Sequence, residues 1–175
     1  MALVVLAYPE ISDADFNLIQ EYRSVHDELY YWVVKPHFTL VFPVRNWEAE
    51  PFIGEVSKQA GGIAAFDFRL CSAVINKDVS LDYYHTFLVP DEGFGRFIRL
   101  HDTLYAGKLF PSRALEIDFI PHVGVGNSRD PQKCLEMVGE WNAQEFSITG
   151  RIRKLDVAVY ENDTVETLQI IPLIE

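Results

Sequence analysis

Two cysteines in 175 residues, Cys71 and Cys134, are too few for a disulfide framework and too isolated for a zinc-ligand pattern. Stability has to come from burial, and reduced thiols in an intracellular protein are the plain expectation. No apolar run approaches the roughly 20 residues that span a bilayer. The opening stretch from Met1 to Ala7 is apolar but short, lacks a basic flank and meets Tyr8-Pro9-Glu10 at once. It reads as a first strand, not a leader, and a cytoplasmic location without membrane contact is expected. Positive charge is also scarce: 15 Lys and Arg against 26 Asp and Glu leave a net charge of −11. Such a surface repels polyanions, so an extended nucleic acid is a poor partner. A nucleotide or an RNA terminus held in one local pocket remains compatible.

Sequence motifs for other chemistries are missing. There is no His-x-x-x-His, no His-Glu-x-x-His and no Cys/His cluster, so no metal site and no cofactor are expected. No phosphate-binding glycine-lysine run and no Gly-x-Ser-x-Gly elbow occur. Gly124-Val125-Gly126 lacks the rest of a dinucleotide fingerprint.

What is present is an ordinary globular balance, 49% hydrophobic and 23% charged, in a length that suits one domain over residues 1–175, expected to be a monomer. Residues 2–8 predict a buried strand. Ser12, with Asp15 three residues on, predicts a helix start, and Phe16, Ile19, Tyr22 and Val25 continue it at helical spacing to about residue 30. A strand follows over 37–43, a helix over 48–60 and a long strand over 63–76, where Phe66, Phe68 and Leu70 alternate with Ala65, Asp67 and Arg69. The order then restarts. A strand over 83–89 precedes a helix around Phe94 to Leu104, a strand over 118–125 and a helix over 130–144 that Pro131 opens. Two final strands cover about 146–159 and 165–173. Each half thus runs strand, helix, short strand, helix, long strand. An α/β (α+β) fold follows, with two pseudo-symmetric lobes, antiparallel-rich sheets, helices outside and a central groove.

The repeat carries histidines. Pro36-His37 lies about 35 residues after the first half opens, and Pro121-His122 about 38 residues after Tyr84. In a strand, residues two apart share a face. His37, Thr39 and Val41 then face a groove, with Phe38, Leu40 and Phe42 in the core. Likewise His122, Gly124 and Gly126 face out, with Val123 and Val125 behind them. Five histidines and fourteen Ser or Thr yield about 0.4 His-x-Ser/Thr matches by chance, so one match means little and the paired Pro-His carries the weight. His101-Asp102-Thr103 is a decoy: on a helix, positions two apart point in nearly opposite directions. His101 reads as structural, His85, on a strand, as structural with a groove position as the alternative, and His26 as a solvated or capping group. Lys35, Arg45, Arg129, Arg151, Arg153 and Lys154 read as surface charge, and Tyr83, Tyr84 and Tyr160 as core aromatics with base stacking as the alternative.

At these two motifs the chain resembles the two-histidine (2H) phosphoesterase superfamily, which includes the 2′-5′ RNA ligases and 2′,3′-cyclic phosphodiesterases. His37-Phe38-Thr39 keeps the family's His-x-Thr/Ser pattern, whereas His122-Val123-Gly124 has glycine where a hydroxyl is usual. The resemblance implies His37 and His122 as catalytic residues, Thr39 and Gly124 as substrate-binding positions, and a metal-independent cyclic phosphodiesterase acting on a nucleotide or RNA terminus, with 2′-5′ RNA ligation as a related activity. The alternative is a non-catalytic nucleotide- or RNA-end-binding module with a degenerate second motif.

Overall fold

A computed structural model describes all 175 residues. In chain order the strands are β1 (Ala2–Ala7), β2 (Glu10–Ile11), β3 (Phe38–Val44), β4 (Phe66–Lys77), β5 (Tyr84–Glu92), β6 (Val123–Ser128), β7 (Ile148–Ile152), β8 (Lys154–Glu161) and β9 (Thr164–Pro172). The helices are α1 (Asp13–His26), α2 (Ala49–Ala60), α3 (Phe94–Leu104) and α4 (Pro131–Asn142), with a 3-10 turn over Gly107–Ser112. Ser12 caps α1 by accepting from the Asp15 N–H at 3.1 Å, and Asp130 caps α4 by accepting from the Gln132 N–H at 2.9 Å. Gly93 opens α3 at φ +84°, where a Cβ would lie 2.7 Å from the Asp67 carbonyl oxygen, so only glycine fits.

The fold is α+β, as the alternation of patterns implies. One sheet has the order β3-β1-β8-β9 and the other β2-β7-β4-β5-β6, with every named pair antiparallel. Setting β3-β1-β8-β9 against β6-β5-β4-β7 aligns the two sheets strand for strand, which is the internal repeat seen in space.

The long closing strands are exchanged between the halves. β4 ends the first half yet pairs with β5 of the second, and β8 ends the second yet pairs with β1. A short turn after β4 makes the β4–β5 hairpin the local pairing. The single strand expected over 146–159 is broken at Arg153, because β7 belongs to one sheet and β8 to the other.

The main core holds 31 buried residues from both sheets and the helices, centred on the rings of Phe38, Phe66, Phe68 and Phe97. β1 explains its continuous apolar run by being buried on both sides. Leu3, Val5 and Ala7 enter this core, while Val4 and Leu6 join a smaller cluster with Ala158 beneath a cavity. No helix is long and apolar enough to cross a membrane.

Candidate active site

The two motif histidines sit at equivalent points, each one residue before its strand: His37 ahead of β3 and His122 ahead of β6. The ladder begins after the Pro-His pair, since proline has no N–H to contribute. The expected strand over 118–125 therefore starts only at Val123, and the segment before it runs along the rim of the cavity through Ile117, Asp118 and Ile120. α1 also stops four residues short of the expected end. There the Asp27 carboxylate turns the chain by accepting the Tyr30 N–H at 2.9 Å.

His37 and His122 line one cavity of about 340 Å³ between the sheets, together with Thr39 and Gly124. Their rings are held alike. His37 Nδ1 lies 2.8 Å from the Lys35 carbonyl oxygen, and His122 Nδ1 lies 2.6 Å from that of Ile120. A carbonyl can only accept, so each Nδ1 carries the hydrogen and each neutral ring keeps its lone pair on Nε2. Burial pushes the His37 imidazole down to about 4, with Arg23 adding to the effect against the Lys35 carbonyl and Asp27. Burial also pushes His122 down to about 4, opposed by the Ile120 carbonyl and reinforced by its neighbours His37 and His85.

β-Bulges correct two of the expected faces. The β1–β3 register slips between Leu3 and Leu6, and this reverses the alternation beyond Thr39. Val41 is consequently in the core, while Phe42, expected there, lines the cavity. In β6 the slip falls opposite Thr86 and Phe87. Gly126 borders the cavity, but a Cβ there would strike Met137 Sδ at 2.6 Å, so its side-chain direction leads into the helix layer. Asn127 takes the next inward place and donates to Asp27 Oδ1 at 2.6 Å.

Gly124 does face the opening: a Cβ built there meets nothing within 4 Å. Its cross-strand partner Phe87 instead stacks on His122, with centroids 3.5 Å apart and planes at 13°. That contact packs the imidazole from one side without filling the space above Gly124.

Several cavity residues escape a motif search. Arg23 and Asp27, 2% and 6% exposed, form a buried ion pair at 2.8 Å, and Arg23 also donates to the carbonyls of Tyr30 and Val34. Their i,i+4 spacing on an otherwise apolar helix face is the one available signal. Lys77 lines the cavity with no carboxylate paired to it, whereas Asp78 and Asp118 add negative charge. His85 combines both of its readings: it is 7% exposed, bonds Asp78 at 3.0 Å and lines the cavity. Tyr160 lines it as well, but Tyr83 and Tyr84 do not; they lie under Arg129 and Lys77.

The remaining candidates are structural. His101 is buried and bonds the Leu40 carbonyl at 2.8 Å, while the Tyr105 hydroxyl, just past the same helix, accepts the Phe42 N–H at 3.0 Å. Both brace the bulged stretch of β3. His26 stacks on Tyr22 at 4.2 Å outside the cavity. Arg151 and Arg153 pair with Asp67, Glu10 and Glu175 at the surface. Nowhere do three His, Cys, Asp or Glu side chains converge to hold a metal ion.

The sequence matches the model of the 2′-5′ RNA ligase superfamily over residues 9–164. No curated protein matches it at the sequence level. The fold is similar to that of TT0787 of Thermus thermophilus, with 15% identity, 99% of this chain and 98% of that one covered, and a TM-score of 0.62. It is similar to Kluyveromyces marxianus Usb1, with 12% identity, 98% of each chain covered and a TM-score of 0.59. E. coli LigT in its apo form gives 15% identity, 99% and 98% coverage and a TM-score of 0.57. With a family model spanning most of its length and two sheets repeating one strand order around a cavity, the chain belongs to the 2′-5′ RNA ligase superfamily of two-histidine phosphoesterases.

Proposed function

We propose that the protein hydrolyses a cyclic phosphate on a nucleotide or RNA terminus, without a metal, through His37 and His122. The observation that carries this reading is the matched pair of imidazoles, each tied through Nδ1 to the carbonyl two residues before it and both lining one cavity. Displacement at phosphorus runs roughly in line, so a base at one end and an acid at the other belong on opposite sides. One histidine takes a proton from water as the water oxygen bonds to phosphorus. The other gives a proton to the ribose oxygen as its bond to phosphorus breaks, leaving a nucleoside monophosphate. Thr39 donates to a non-bridging oxygen, and Gly124 lets the substrate approach β6 closely.

Both histidines are held neutral in the free protein, so one has to gain a proton before it can act as the acid. A phosphate anion between them favours the imidazolium by direct attraction. Substrate binding and proton uptake are then one event. The balance of charge in the cavity suits a substrate of low charge, since Arg23 is spent on Asp27 and Lys77 shares the lining with Asp78 and Asp118. LigT has been crystallised with 3′-AMP, ATP and NADP+, and Usb1 with uridine monophosphate, so a nucleotide is the ligand class these neighbours support. The whole chain would act as one bilobal unit, a monomer in the cytoplasm, and 2′-5′ ligation would be the reverse sense of the same chemistry.

A second reading has its own support. Open space instead of a hydroxyl at Gly124 favours a module that binds the nucleotide end and does not turn it over. Incubation with the four 2′,3′-cyclic nucleotides separates the two. Hydrolysis in EDTA that is lost in both His37→Ala and His122→Ala supports the enzyme. Binding without turnover by the parent protein establishes the module instead.

A further inference from the structure

We propose that His85, clamped by Asp78, is a phosphate-binding residue that stands in for the hydroxyl missing at Gly124; this rests on the cyclic-phosphate reading of the same cavity. β5 carries His85 and Phe87 on one face, two residues apart, and Phe87 is the direct cross-strand partner of Gly124. His85 pairs with Asn127, three residues beyond Gly124 across the β6 bulge, and lines the same cavity as Gly124. The space above Gly124 is open, with no atom within 4 Å of an added Cβ.

The ring is held. Its Nε2 bonds Asp78 Oδ2 at 3.0 Å, while Asp78 Oδ1 accepts from the N–H of Ser80 and of Leu81, both at 2.7 Å, and from the Ser80 hydroxyl at 2.9 Å. It stacks on Phe87 at 5.6 Å and 16°, and Phe87 in turn stacks on His122. With one nitrogen occupied by the carboxylate, Nδ1 bonds no protein group, yet it is not among the sealed polar atoms of the interior. An anion bound at Nδ1 brings a proton onto that nitrogen, which then donates to the anion's oxygen while Asp78 keeps the N–H at Nε2. The equivalent region of the first lobe holds Val4 and Leu6 on β1, and there Thr39 keeps its hydroxyl. A polar ring occurs on the side where the hydroxyl is missing.

The test is a double-mutant cycle on His85→Phe and Gly124→Ser, read by the affinity for inorganic phosphate and, separately, by cyclic-nucleotide turnover. Phenylalanine keeps the stack with Phe87 and removes both nitrogens. The expected result is a loss of about tenfold or more in phosphate affinity for His85→Phe, most of it recovered when Gly124→Ser is added. Asp78→Asn, with thermal melting as a check on folding, serves if His85→Phe does not fold, and should weaken phosphate in the same serine-rescued way. Equal losses with and without the serine, or no loss, overturn the proposal, because a merely structural His85 gains nothing from a hydroxyl at 124. A parent that binds phosphate without turnover overturns hydrolysis and leaves the cycle to decide on His85. A parent that binds no phosphate overturns both.

Discussion

At His37 the ring is followed two residues on by Thr39; at His122 the same place is Gly124. Around this difference the two half-sites are otherwise closely matched, from the preceding proline to the carbonyl bond at Nδ1 and the bulge that follows. The walls then diverge: β1 offers Val4 and Leu6, and β5 offers His85 and Phe87. A duplicated fold therefore holds its backbone geometry while the side chains make the halves chemically unequal. Such inequality is what an in-line reaction uses, because its two ends need opposite protonation at the same moment.

The comparison breaks most sharply at the histidines. His37→Ala and His122→Ala should each lower kcat on cyclic nucleotides by roughly a thousandfold, within the usual range for acid-base groups. A large loss in one with a small loss in the other would make the symmetry structural only. Next comes the ion pair of α1, which Asn127 ties to β6. Asp27→Ala strands a buried Arg23 and should cost about 3–5 kcal/mol in chemical denaturation, with no counterpart in the bracing of β3 by His101 and Tyr105.

Thr39→Ala should lower kcat about a hundredfold, as loss of one oxyanion donor does elsewhere. Gly124→Ser in the otherwise unaltered protein should move it only a few-fold, because a Cβ there meets nothing within 4 Å and His85 already supplies a donor. If the serine raised kcat as much as Thr39→Ala lowers it, the two positions would be equivalent after all.

The pH dependence is the gentlest test. Both imidazoles sit near 4 in the folded protein, below their ordinary value. The unfolded chain therefore binds protons first as pH falls, so the stability these rings contribute is present above roughly 6.5 and is lost on the way down to about 4. For turnover, kcat/KM reports the free protein and should fall as pH rises from roughly 5 to 8. The kcat profile, read with the anion bound, should hold to higher pH.

Much of this is legible in the chain. The helix cap at Ser12, Pro131 at the head of α4, the alternation of Phe66, Phe68 and Leu70, and the doubled Pro-His all rest on local chemistry, and the first three have their expected places in the structure. What stays hidden depends on partners distant in sequence. The bulges in β3 and β6 arise from pairing with β1 and β5, so no local pattern marks the exchange of Val41 for Phe42 or of Gly126 for Asn127. The swapped long strands and the Arg153 break likewise need both sheets at once. His85 reads as structural from its place on a strand; only the structure shows it bonded to Asp78 on the cavity wall.

Nitrogen-15 NMR of the histidine side chains, recorded near pH 6 with and without inorganic phosphate, tests the paired imidazoles most directly. Without phosphate, His37 and His122 should both be neutral rings carrying hydrogen on Nδ1, and phosphate should convert one of them to imidazolium. Rings already charged, hydrogen on Nε2 in either one, or spectra that phosphate leaves unchanged would contradict a pair of neutral imidazoles serving one phosphate as base and acid.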